Sequence, residues 1–338
     1  MTDGPSLLDT VLGLAPAQII HVAARLGLAD HLAGGPKTGA ELATATGSHG
    51  PSLHRLLRAL VCLGVVTQAD GDRFALAPRG MPLRSDAPDS IRSLVLLYCS
   101  ERGWRSWGAL EYGIRTGKVP AEHVTGMPAF EYFAAHPELG AEFNAAMAEF
   151  TRSIAPAVIG GYDFARFGTL VDVGGGNGTL LAAILSAVPS LRGVLFDLPH
   201  GVEHAAATLA KAGVAGRCEV VTGDFFDSVP PGADAYLLKS IVHDWDDERS
   251  AVILRNCRTA MADGGVVLVL ERMLPDRLSP ANTGAVLSDL NMLVFTGGRE
   301  RTEAQYRALY AAAGLELAEV AGPFGDYFVI VGTRSSTE

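Results

Sequence analysis

The chain has 338 residues, a formal net charge of −10, and a composition that is 48% hydrophobic and 19% charged. This much apolar material can build one large core or two ordinary ones, so two domains are expected. The negative charge repels phosphate backbones and argues against general affinity for nucleic acid.

The cysteines and the apolar runs narrow the class of protein further. Longer candidates among the apolar runs, such as Val266–Leu270, have the length of a strand, so no membrane span of roughly 18 residues is expected. The first basic side chain is Arg25, which argues against a secretory signal and favours a cytoplasmic location. No CxxC pair occurs, so neither a metal site nor a disulfide framework is expected of the cysteines, which are Cys62, Cys99, Cys218 and Cys257.

The first part of the chain has the pattern of a winged helix. From Leu7 to about Leu63 the apolar residues recur at helical spacing. Within that stretch, Thr38 followed by Glu41 has the spacing of a capping box at a helix start. Two short apolar runs then flank Asp70-Gly71, which predicts a β-hairpin.

A winged helix is best known for reading DNA, and that interpretation stays open as an alternative. Its third predicted helix carries Arg55 and Arg58 but is otherwise neutral and apolar, and the module covers under a third of the chain. Neither feature favours a DNA-binding surface.

The segment from Ser90 to Ile159 keeps the helical pattern and is rich in large side chains. Aromatic residues at helical spacing are usually part of a core. Here they can equally form the wall of a pocket for a flat ligand. The residues are Trp104, Trp107, Tyr112, Phe130, Tyr132, Phe133, Phe143, Met147 and Phe150.

After Gly160 the pattern changes to strands that alternate with helices. Such alternation predicts a parallel sheet covered on both faces, that is, a doubly wound α/β domain of Rossmann-like type. Tyr327–Val331 is expected to finish the sheet as an edge strand. The other predicted strands are Thr169–Val173, Arg192–Phe196, Cys218–Val221, Ala235–Leu238 and Val266–Leu270, with helices from Thr179, Val202 and Glu248.

A glycine-rich loop, Asp172–Gly178, joins the first of these strands to its helix. Open α/β sheets bind ligands at this edge, and glycines let the backbone approach the ligand closely. Acidic residues end the next two strands as well, at Asp197 and Asp224. Three such sites at consecutive strand ends favour a binding site over ordinary turn glycines and helix caps.

The acidic residues indicate which ligand the loop holds. Asp197 lies where a carboxylate accepts both hydroxyls of an adenosine ribose, which a dinucleotide dehydrogenase would share. Asp172 beside the loop suits an ammonium group and disfavours a pyrophosphate. Asp224 and Phe225 suit the edge and the face of an adenine. No GxxxxGK[ST] motif occurs, which argues against a nucleoside triphosphate.

Taken in order, five motifs resemble those of the class I methyltransferases that include plant caffeate and flavonoid O-methyltransferases and bacterial O-methyltransferases of natural-product pathways. The motifs are DVGGGNG from Asp172, FDLPH from Phe196, GDFF from Gly223, KSIVHDWDDE from Lys239 and GGRERT from Gly297. The resemblance extends over essentially the whole chain, and in that family the front half is a dimerisation domain.

The resemblance implies S-adenosylmethionine as cofactor, a small hydroxylated molecule as substrate, and a homodimer without nucleic acid, membrane or metal. It implies three regions: residues 1–100 as the winged-helix-like dimerisation domain, 101–158 as a helical connector that contributes to the substrate pocket, and 159–338 as the methyltransferase domain. The residues implied for the cofactor are Thr151, Asp172, Gly174, Gly176, Asp197, Leu198, Gly223, Asp224, Phe225 and Lys239.

His243 is the expected general base, in the HDW motif that follows the fourth strand of the domain. Methyl transfer needs the acceptor oxygen aligned at roughly 3 to 3.5 Å and its proton removed as the bond forms. A neutral imidazole is suited to concerted proton removal near neutral pH. The family pattern implies Glu271 beside this base and Glu300 as a second glutamate, both to orient and stabilise it. Trp245 is expected to pack, before an acidic helix start at Asp246, Asp247 and Glu248.

The family pattern also implies which residues touch the acceptor. They are Met147, Asp244, Asp289, Asn291 and Met292. Many relatives have an apolar residue where this chain has Asn291, so a polar group on the acceptor is expected there.

Two alternatives to O-methylation remain open at this point. An N- or C-methyltransferase has less need of a histidine base, and a cofactor-sensing DNA-binding regulator would use the winged helix. Some members of the family lose the base and turn to decarboxylation or hydroxylation, and the presence of His243 argues against that here.

Overall fold

The computed structural model describes residues 6–335. They divide into two compact units. One contains the described residues up to Trp104 together with Glu138–Phe150, and the other contains Arg105–Pro137 and the described residues from Thr151 onward. Residues 1–5 and 336–338, at the ends of the outermost expected domains, lie outside the described part.

The first unit is mostly helical. Its core is formed by leucines that include Leu42, Leu53, Leu57 and Leu60, packed against Phe74. Its elements are α1 (Leu7–Leu12), α2 (Leu14–Arg25), α3 (Leu28–Leu32), β1 (Lys37–Thr38), α4 (Gly39–Thr46), α5 (Gly50–Cys62), β2 (Val66–Ala69), β3 (Arg73–Leu76) and α6 (Arg92–Tyr98), with a 3₁₀ turn at Pro78–Leu83.

Two local predictions for this unit are confirmed. Thr38 accepts the backbone N–H of Glu41 and its own N–H donates to the Glu41 carboxylate, so the capping box is formed. The strands β2 and β3 pair as an antiparallel hairpin, with Gly71 and Asp72 at positive φ in its turn. β1 adds to the other edge of β3, which completes the small sheet of a winged helix.

The helices that follow α6 along the chain are α7 (Glu101–Gly108), α8 (Leu110–Thr116), α9 (Pro120–Thr125), α10 (Ala129–Ala135) and α11 (Pro137–Gly161). The second unit then continues with β4 (Thr169–Val173), α12 (Thr179–Ala187), β5 (Arg192–Asp197), α13 (Ala205–Lys211), β6 (Cys218–Thr222), β7 (Ala235–Lys239), α14 (Asp247–Ala260), β8 (Val266–Leu274), α15 (Thr283–Phe295), β9 (Arg301–Thr302), α16 (Glu303–Ala312), β10 (Leu315–Phe324) and β11 (Tyr327–Arg334).

These strands form one sheet in the order β10-β11-β8-β7-β4-β5-β6, and β9 pairs onto β8. The pairs from β6 to β8 are parallel, whereas β11 runs antiparallel to both of its neighbours. The strand order reverses between β4 and β7. The chain adds β5 and β6 on one side of β4 and then crosses over to add β7 and β8 on the other side. Open α/β sheets bind ligands at such a switch point, and the expected Rossmann-like fold is confirmed.

The prediction that Tyr327–Val331 forms an edge strand was wrong. β11 lies between β8 and β10, and residues such as Val329 and Ile330 are fully buried. The edge strand β10 was missed because it alternates buried Leu315 and Leu317 with exposed residues and carries Pro323 near its end. Proline in a sheet is confined mainly to edges, so its position fits the outermost strand.

One apolar stretch reaches the length of a membrane span. Leu7–Arg25, which contains α1 and α2, is long and apolar enough to cross a membrane, judged by length and composition alone. Its mean hydropathy is 1.5. The expectation that no run approached this length was wrong on that criterion. A core helix of a soluble protein or a signal sequence passes the same test, so a single such stretch is weak evidence. The cytoplasmic location stays a prediction.

Candidate active site

The glycine-rich loop leaves the end of β4 in a conformation that needs glycine. Gly174, Gly176 and Gly178 all have positive φ, which L side chains rarely adopt. A Cβ on Gly174 would lie 2.5 Å from the Ile241 side chain, so the loop packs closely against the segment after β7. A Cβ on Gly176 would meet nothing within 4 Å, so this side of the loop is open to a ligand.

Asp172 lies beneath this loop with an unsatisfied carboxylate oxygen. The residue is 2% exposed, and Oδ2 has no hydrogen-bond partner among the described residues. Burial, together with the charge of Asp197, raises the pKa of Asp172 to about 7. A buried carboxylate with a free acceptor atom fits the ammonium group of a methionine moiety.

Asp197 ends β5 and also contacts the glycine-rich loop. Its Oδ2 accepts the N–H of Gly176 at 2.8 Å and its Oδ1 accepts the N–H of Leu198 at 2.6 Å. Burial raises its pKa although these bonds oppose the shift. Each carboxylate oxygen keeps a second lone pair, so the arrangement fits a ribose with two hydroxyls.

The loop after β6 brings an aromatic ring to the same place. Phe225 lies against Gly174, whose added Cβ would be 3.6 Å from the ring. Asp224 is exposed and its Oδ1 accepts the N–H of Phe226 at 2.8 Å. Gly223 donates its N–H to the Asp197 carbonyl and packs against Phe196, where a Cβ would be 2.7 Å from the ring.

Lys239 and Thr151 complete the predicted cofactor set. Lys239 ends β7, and its Nζ donates to the Thr151 hydroxyl at 3.1 Å. Burial and the charge of Arg272 lower the pKa of Lys239 to about 8, although Asp172 opposes the shift. The resulting site contains a carboxylate for an ammonium group and an ammonium group for a carboxylate, which are the two ends of an amino acid.

His243 lies in a 3₁₀ turn, Val242–Asp244, directly after β7. Ser240 enters this turn with φ of +55°, a rare conformation for a residue with a side chain. The imidazole is buried, and its Nδ1 lies 2.9 Å from Oε1 of Glu300. With Nδ1 held in this way, Nε2 is the nitrogen left to face an acceptor.

The charges around His243 make it a stronger base than an ordinary histidine. Burial alone would lower its pKa, but the Glu300 carboxylate, with contributions from Asp244 and Glu271, raises it to about 9. The Ser288 hydroxyl, which sequence reasoning missed, donates to the same Glu300 oxygen at 2.6 Å. A pKa of about 9 favours the protonated imidazole near pH 7, so the neutral base expected from the sequence stays a prediction.

Glu271 makes its hydrogen bonds to the backbone of the turn and not to the imidazole. Its Oε1 accepts the backbone N–H groups of Ile241 and His243 at 3.1 and 3.0 Å, and its Oε2 accepts the hydroxyl of Tyr306. The residue is fully buried. The structure thus separates the two glutamates, because Glu300 contacts the imidazole and Glu271 fixes the backbone that carries it.

The 3₁₀ turn Val242–Asp244, called the catalytic turn below, is contacted by every residue of Gly298–Arg301, a segment called the clamp. A Cβ on Gly298 would be 1.9 Å from the His243 carbonyl oxygen, and the N–H of Arg299 donates to that oxygen. The fully buried Arg301 donates to the carbonyls of Val242 and Trp245 at 3.0 and 2.9 Å. No sequence pattern pointed to these contacts, since arginine in a loop is ordinarily a surface residue.

Asp247 contacts the clamp, so it is more than the solvated helix start expected of it. Its carboxylate pairs with Arg299 and with Arg301. Asp246 is the N-cap of α14, since its Oδ1 accepts the N–H of Arg249 at 2.8 Å. Trp245 packs against Phe130, and three further contacts come from Phe225, Phe226 and Arg249.

The predicted acceptor residues lie on several elements. Asp244 follows His243, and its Oδ1 is 3.9 Å from Nε2 of that ring. Asp289 on α15 accepts the N–H of Glu300 at 2.9 Å. Asn291 and Met292 follow on the same helix, where Met292 is buried and Oδ1 of Asn291 is buried without a partner among residues 6–335. Met147 lies on α11, within the first unit.

Within the described ranges, no group of three or more His, Cys, Asp or Glu side chains is placed to hold a metal ion.

Comparison with known proteins places the chain in a family. Residues 107–316 match the O-methyltransferase domain model, and residues 8–82 match the O-methyltransferase dimerisation domain model. The second match favours dimerisation over DNA reading for the winged helix.

Relatives and solved structures extend this match over nearly the whole chain. The phenazine O-methyltransferase PhzM of Lysobacter antibioticus is 43% identical, over 93% of this chain and 91% of the relative. The solved structure of LaPhzM, at 40% identity, has a TM-score of 0.94 and covers 97% of this chain and 98% of that one. NcsB1 is an O-methyltransferase from neocarzinostatin biosynthesis that was solved with S-adenosylmethionine and 2-hydroxy-5-methyl naphthoic acid. It is 35% identical with a TM-score of 0.80, and the match covers 95% of this chain and 96% of that one. The chain belongs to the family of S-adenosylmethionine-dependent O-methyltransferases of natural-product biosynthesis.

Proposed function

We propose that the chain methylates a phenolic hydroxyl of a small aromatic natural product and that His243 is the general base. The observation that carries this proposal is the buried His243 ring, which is held at Nδ1 by Glu300 and turned so that Nε2 is left for the acceptor. An imidazole oriented by a carboxylate is the usual arrangement of a general base.

The raised pKa of His243 suits a phenolic acceptor. A phenol has a pKa of about 10 and an unperturbed histidine one of about 6.5, so proton transfer between them costs about 5 kcal/mol. With the pKa of His243 raised to about 9, the gap is about one unit, or roughly 1.4 kcal/mol. The Glu300 carboxylate therefore lowers the energy of the state in which the imidazole holds the proton and the oxygen carries negative charge.

The cofactor site has a role for each predicted residue. S-adenosylmethionine supplies a methyl group that its sulfonium centre has already activated. Asp172 binds the ammonium group, Lys239 with Thr151 binds the carboxylate, and Asp197 accepts the ribose hydroxyls. The backbone of Gly174 and Gly176 approaches the ligand closely. The adenine is placed against Leu198, Gly223, Asp224 and Phe225.

The acceptor is placed against α15 and the catalytic turn. Asp289, Asn291 and Met292 line it from α15, and Asp244 lies beside the base. The family pattern adds Met147 to the residues implied for the acceptor. A polar group on the acceptor meets the unpartnered Oδ1 of Asn291. One relative is named as a phenazine O-methyltransferase, and another was solved with a naphthoic acid bound. Both support a flat, fused aromatic substrate.

The test is to incubate the enzyme with isotopically labelled S-adenosylmethionine and a panel of hydroxylated phenazines and naphthoic acids. A product that gains one labelled methyl, with the carbon shift of a methoxy group, is expected. A matched panel with amino groups in place of hydroxyls separates O- from N-methylation. Methylation of the amines alone would overturn the proposal.

The base assignment is tested by His243→Gln. We expect turnover to fall by roughly 100-fold or more, the usual scale for a positioned base, while the calorimetric affinity for S-adenosylhomocysteine stays near that of the wild type. The conservative amide keeps polarity but cannot accept the proton. Retained turnover would refute the role of His243.

We also propose that the chain works as a homodimer through its first unit. The matched dimerisation domain supports this, as do exposed apolar side chains on α1, among them Leu7, Leu8 and Val11.

A further inference from the structure

We propose that Asp244 is the proton exit of this enzyme: it takes the proton from Nε2 of His243 and releases it to solvent. The inference rests on the proposed function, because it takes His243 as the base. It assigns Asp244 a task in every turnover, beyond contact with the acceptor.

The overall reaction requires such an exit. Methylation turns a hydroxyl into a methyl ether, the electron pair of the broken carbon–sulfur bond stays on sulfur, and one proton is left on His243. The ring cannot act again until that proton leaves. In the proposed route the carboxylate of Asp244 becomes a neutral acid, and water or a buffer base then takes the proton, which restores both side chains.

The surroundings of His243 leave few routes for this proton. The carboxylates that raise its pKa are Glu300, Asp244 and Glu271. Glu300 holds Nδ1, the wrong nitrogen, and its side chain is 0% exposed. Glu271 is also fully buried and binds the backbone N–H groups of the turn. Of the three, Asp244 lies beside Nε2, and its side chain is 16% exposed, against 9% for His243.

The distance fits a contact that forms during the reaction cycle. Nε2 and Oδ1 of Asp244 are 3.9 Å apart, so the gap to a hydrogen bond is about 1 Å. Catalytic hydrogen bonds are often long before ligands bind and tighten in the complex. Within residues 6–335, no side-chain hydrogen bond holds Asp244 elsewhere, so its carboxylate can rotate toward the ring.

The acidities of the two groups predict how the exit behaves. Burial raises the pKa of Asp244 to about 6, with Glu271 and Glu300 contributing and with His243 and Lys239 opposing. Because the pKa of His243 is about 9, the proton resides on Asp244 only briefly. A small base in solution that reaches Asp244 therefore speeds its removal.

The experiment compares one turnover with many, using Asp244→Asn. The amide keeps the shape of the side chain but cannot carry the proton. With enzyme in excess over acceptor at pH 9, about half of His243 is already neutral. That fraction can accept one proton without Asp244, so we expect the single-turnover rate of the variant to fall much less than its kcat. With acceptor in excess, we expect kcat to fall at least tenfold in a bulky sulfonate buffer and to rise with added imidazole at constant pH and ionic strength.

Glu248→Gln is the matched control, since Glu248 is exposed on the first turn of α14. It should change neither rate. Asp244→Glu keeps a carboxylate. We expect its kcat to exceed that of Asp244→Asn and to be insensitive to imidazole. This variant also tests the proposal if Asp244→Asn does not fold.

Three outcomes would overturn the proposal. These are an unchanged kcat for Asp244→Asn, a single-turnover rate that falls as far as kcat, or a glutamate variant that depends on imidazole as the asparagine variant does. A failure of the base assignment is distinguishable, because His243→Gln would then keep its single-turnover rate whatever Asp244 does.

Discussion

The charge state of His243 sets the pH range in which the enzyme should work. The base must be neutral in the free enzyme, and its pKa is raised to about 9. We therefore expect log kcat/KM to rise with pH at a slope of one and to level off near pH 9. A rate profile from about pH 6 to pH 10 measures this directly.

Glu300→Gln identifies the cause of that profile. Burial lowers the pKa of His243 and the Glu300 carboxylate raises it, so the variant should level off at lower pH than the wild type, with a smaller plateau. Glu303→Gln, at the exposed start of α16, should leave the profile unchanged. An unshifted inflection in Glu300→Gln would show that another group titrates.

Asp172 should make cofactor binding depend on pH. Its pKa is raised to about 7, chiefly by burial, whereas a bound ammonium needs the charged carboxylate. We expect the Kd of S-adenosylhomocysteine to be about tenfold weaker at pH 6 than its best value, since each unit below the pKa costs a factor of ten. Above about pH 8 the affinity should fall again as Lys239 loses its proton.

Calorimetry on Asp172→Asn checks the acidic half of that prediction. The variant should bind weakly, and its affinity should no longer change below pH 7. Asp227→Asn, at an exposed position in the loop after β6, should behave as wild type. Tight binding by Asp172→Asn would remove Asp172 from the cofactor site.

At the scale of elements, the catalytic turn depends on the loop that precedes β9. Arg301 is fully buried and donates to two carbonyls of the turn and to Asp247. Arg301→Met leaves those acceptors unpaired, and buried hydrogen bonds to charged groups contribute about 1.5 to 3 kcal/mol each. We expect a loss of about 3 kcal/mol in the free energy of unfolding and at least a tenfold fall in kcat.

Arg299→Met is the matched control for this prediction. Its guanidinium pairs with the exposed Asp247 carboxylate, and exposed ion pairs contribute about 0 to 1 kcal/mol. Urea unfolding and kcat should therefore both stay close to wild type. Equal effects of the two substitutions would refute the distinction between the buried Arg301 side chain and the exposed Arg299 ion pair.

The sequence was sufficient to predict the elements that have a local signal. Most of the parallel strands contain a run of apolar residues, and the Thr38 cap and the Asp70-Gly71 turn are short motifs with known geometry. β10 was missed because half of its residues face solvent. The predicted position of β11 was wrong because the order of strands in a sheet depends on which distant segments of the chain pair with each other.

The candidate site divides in the same way. The glycine loop, the acidic strand ends and His243 lie within motifs, so they could be named from the sequence. Ser288 and Arg301 could not, because their roles depend on contacts with residues 12 and 51 or more positions away. The raised pKa of His243 was also beyond the sequence, because it depends on how closely Glu300, Asp244 and Glu271 surround one buried ring.

At the scale of the whole molecule, the first unit exposes apolar surface that a monomer would leave in water. Leu7, Leu8, Val11, Leu12 and Leu14 are each more than half exposed, and all lie at the start of the chain's helical part. Exposed apolar patches of this kind mark interaction sites. Because the matched dimerisation domain begins at residue 8, the expected partner is a second copy of the chain.

Sedimentation equilibrium tests this expectation. The wild type should have twice the mass of the 35.4 kDa chain. The double variant Leu8→Glu with Val11→Glu should shift the equilibrium toward monomer, because two charges would be buried without partners at the interface. Leu278→Glu, which changes an equally exposed leucine outside the dimerisation domain, should leave the mass unchanged. A wild type that sediments as a monomer at micromolar concentration would refute the proposed dimer, whereas a dimer that persists in the double variant would place the interface away from α1.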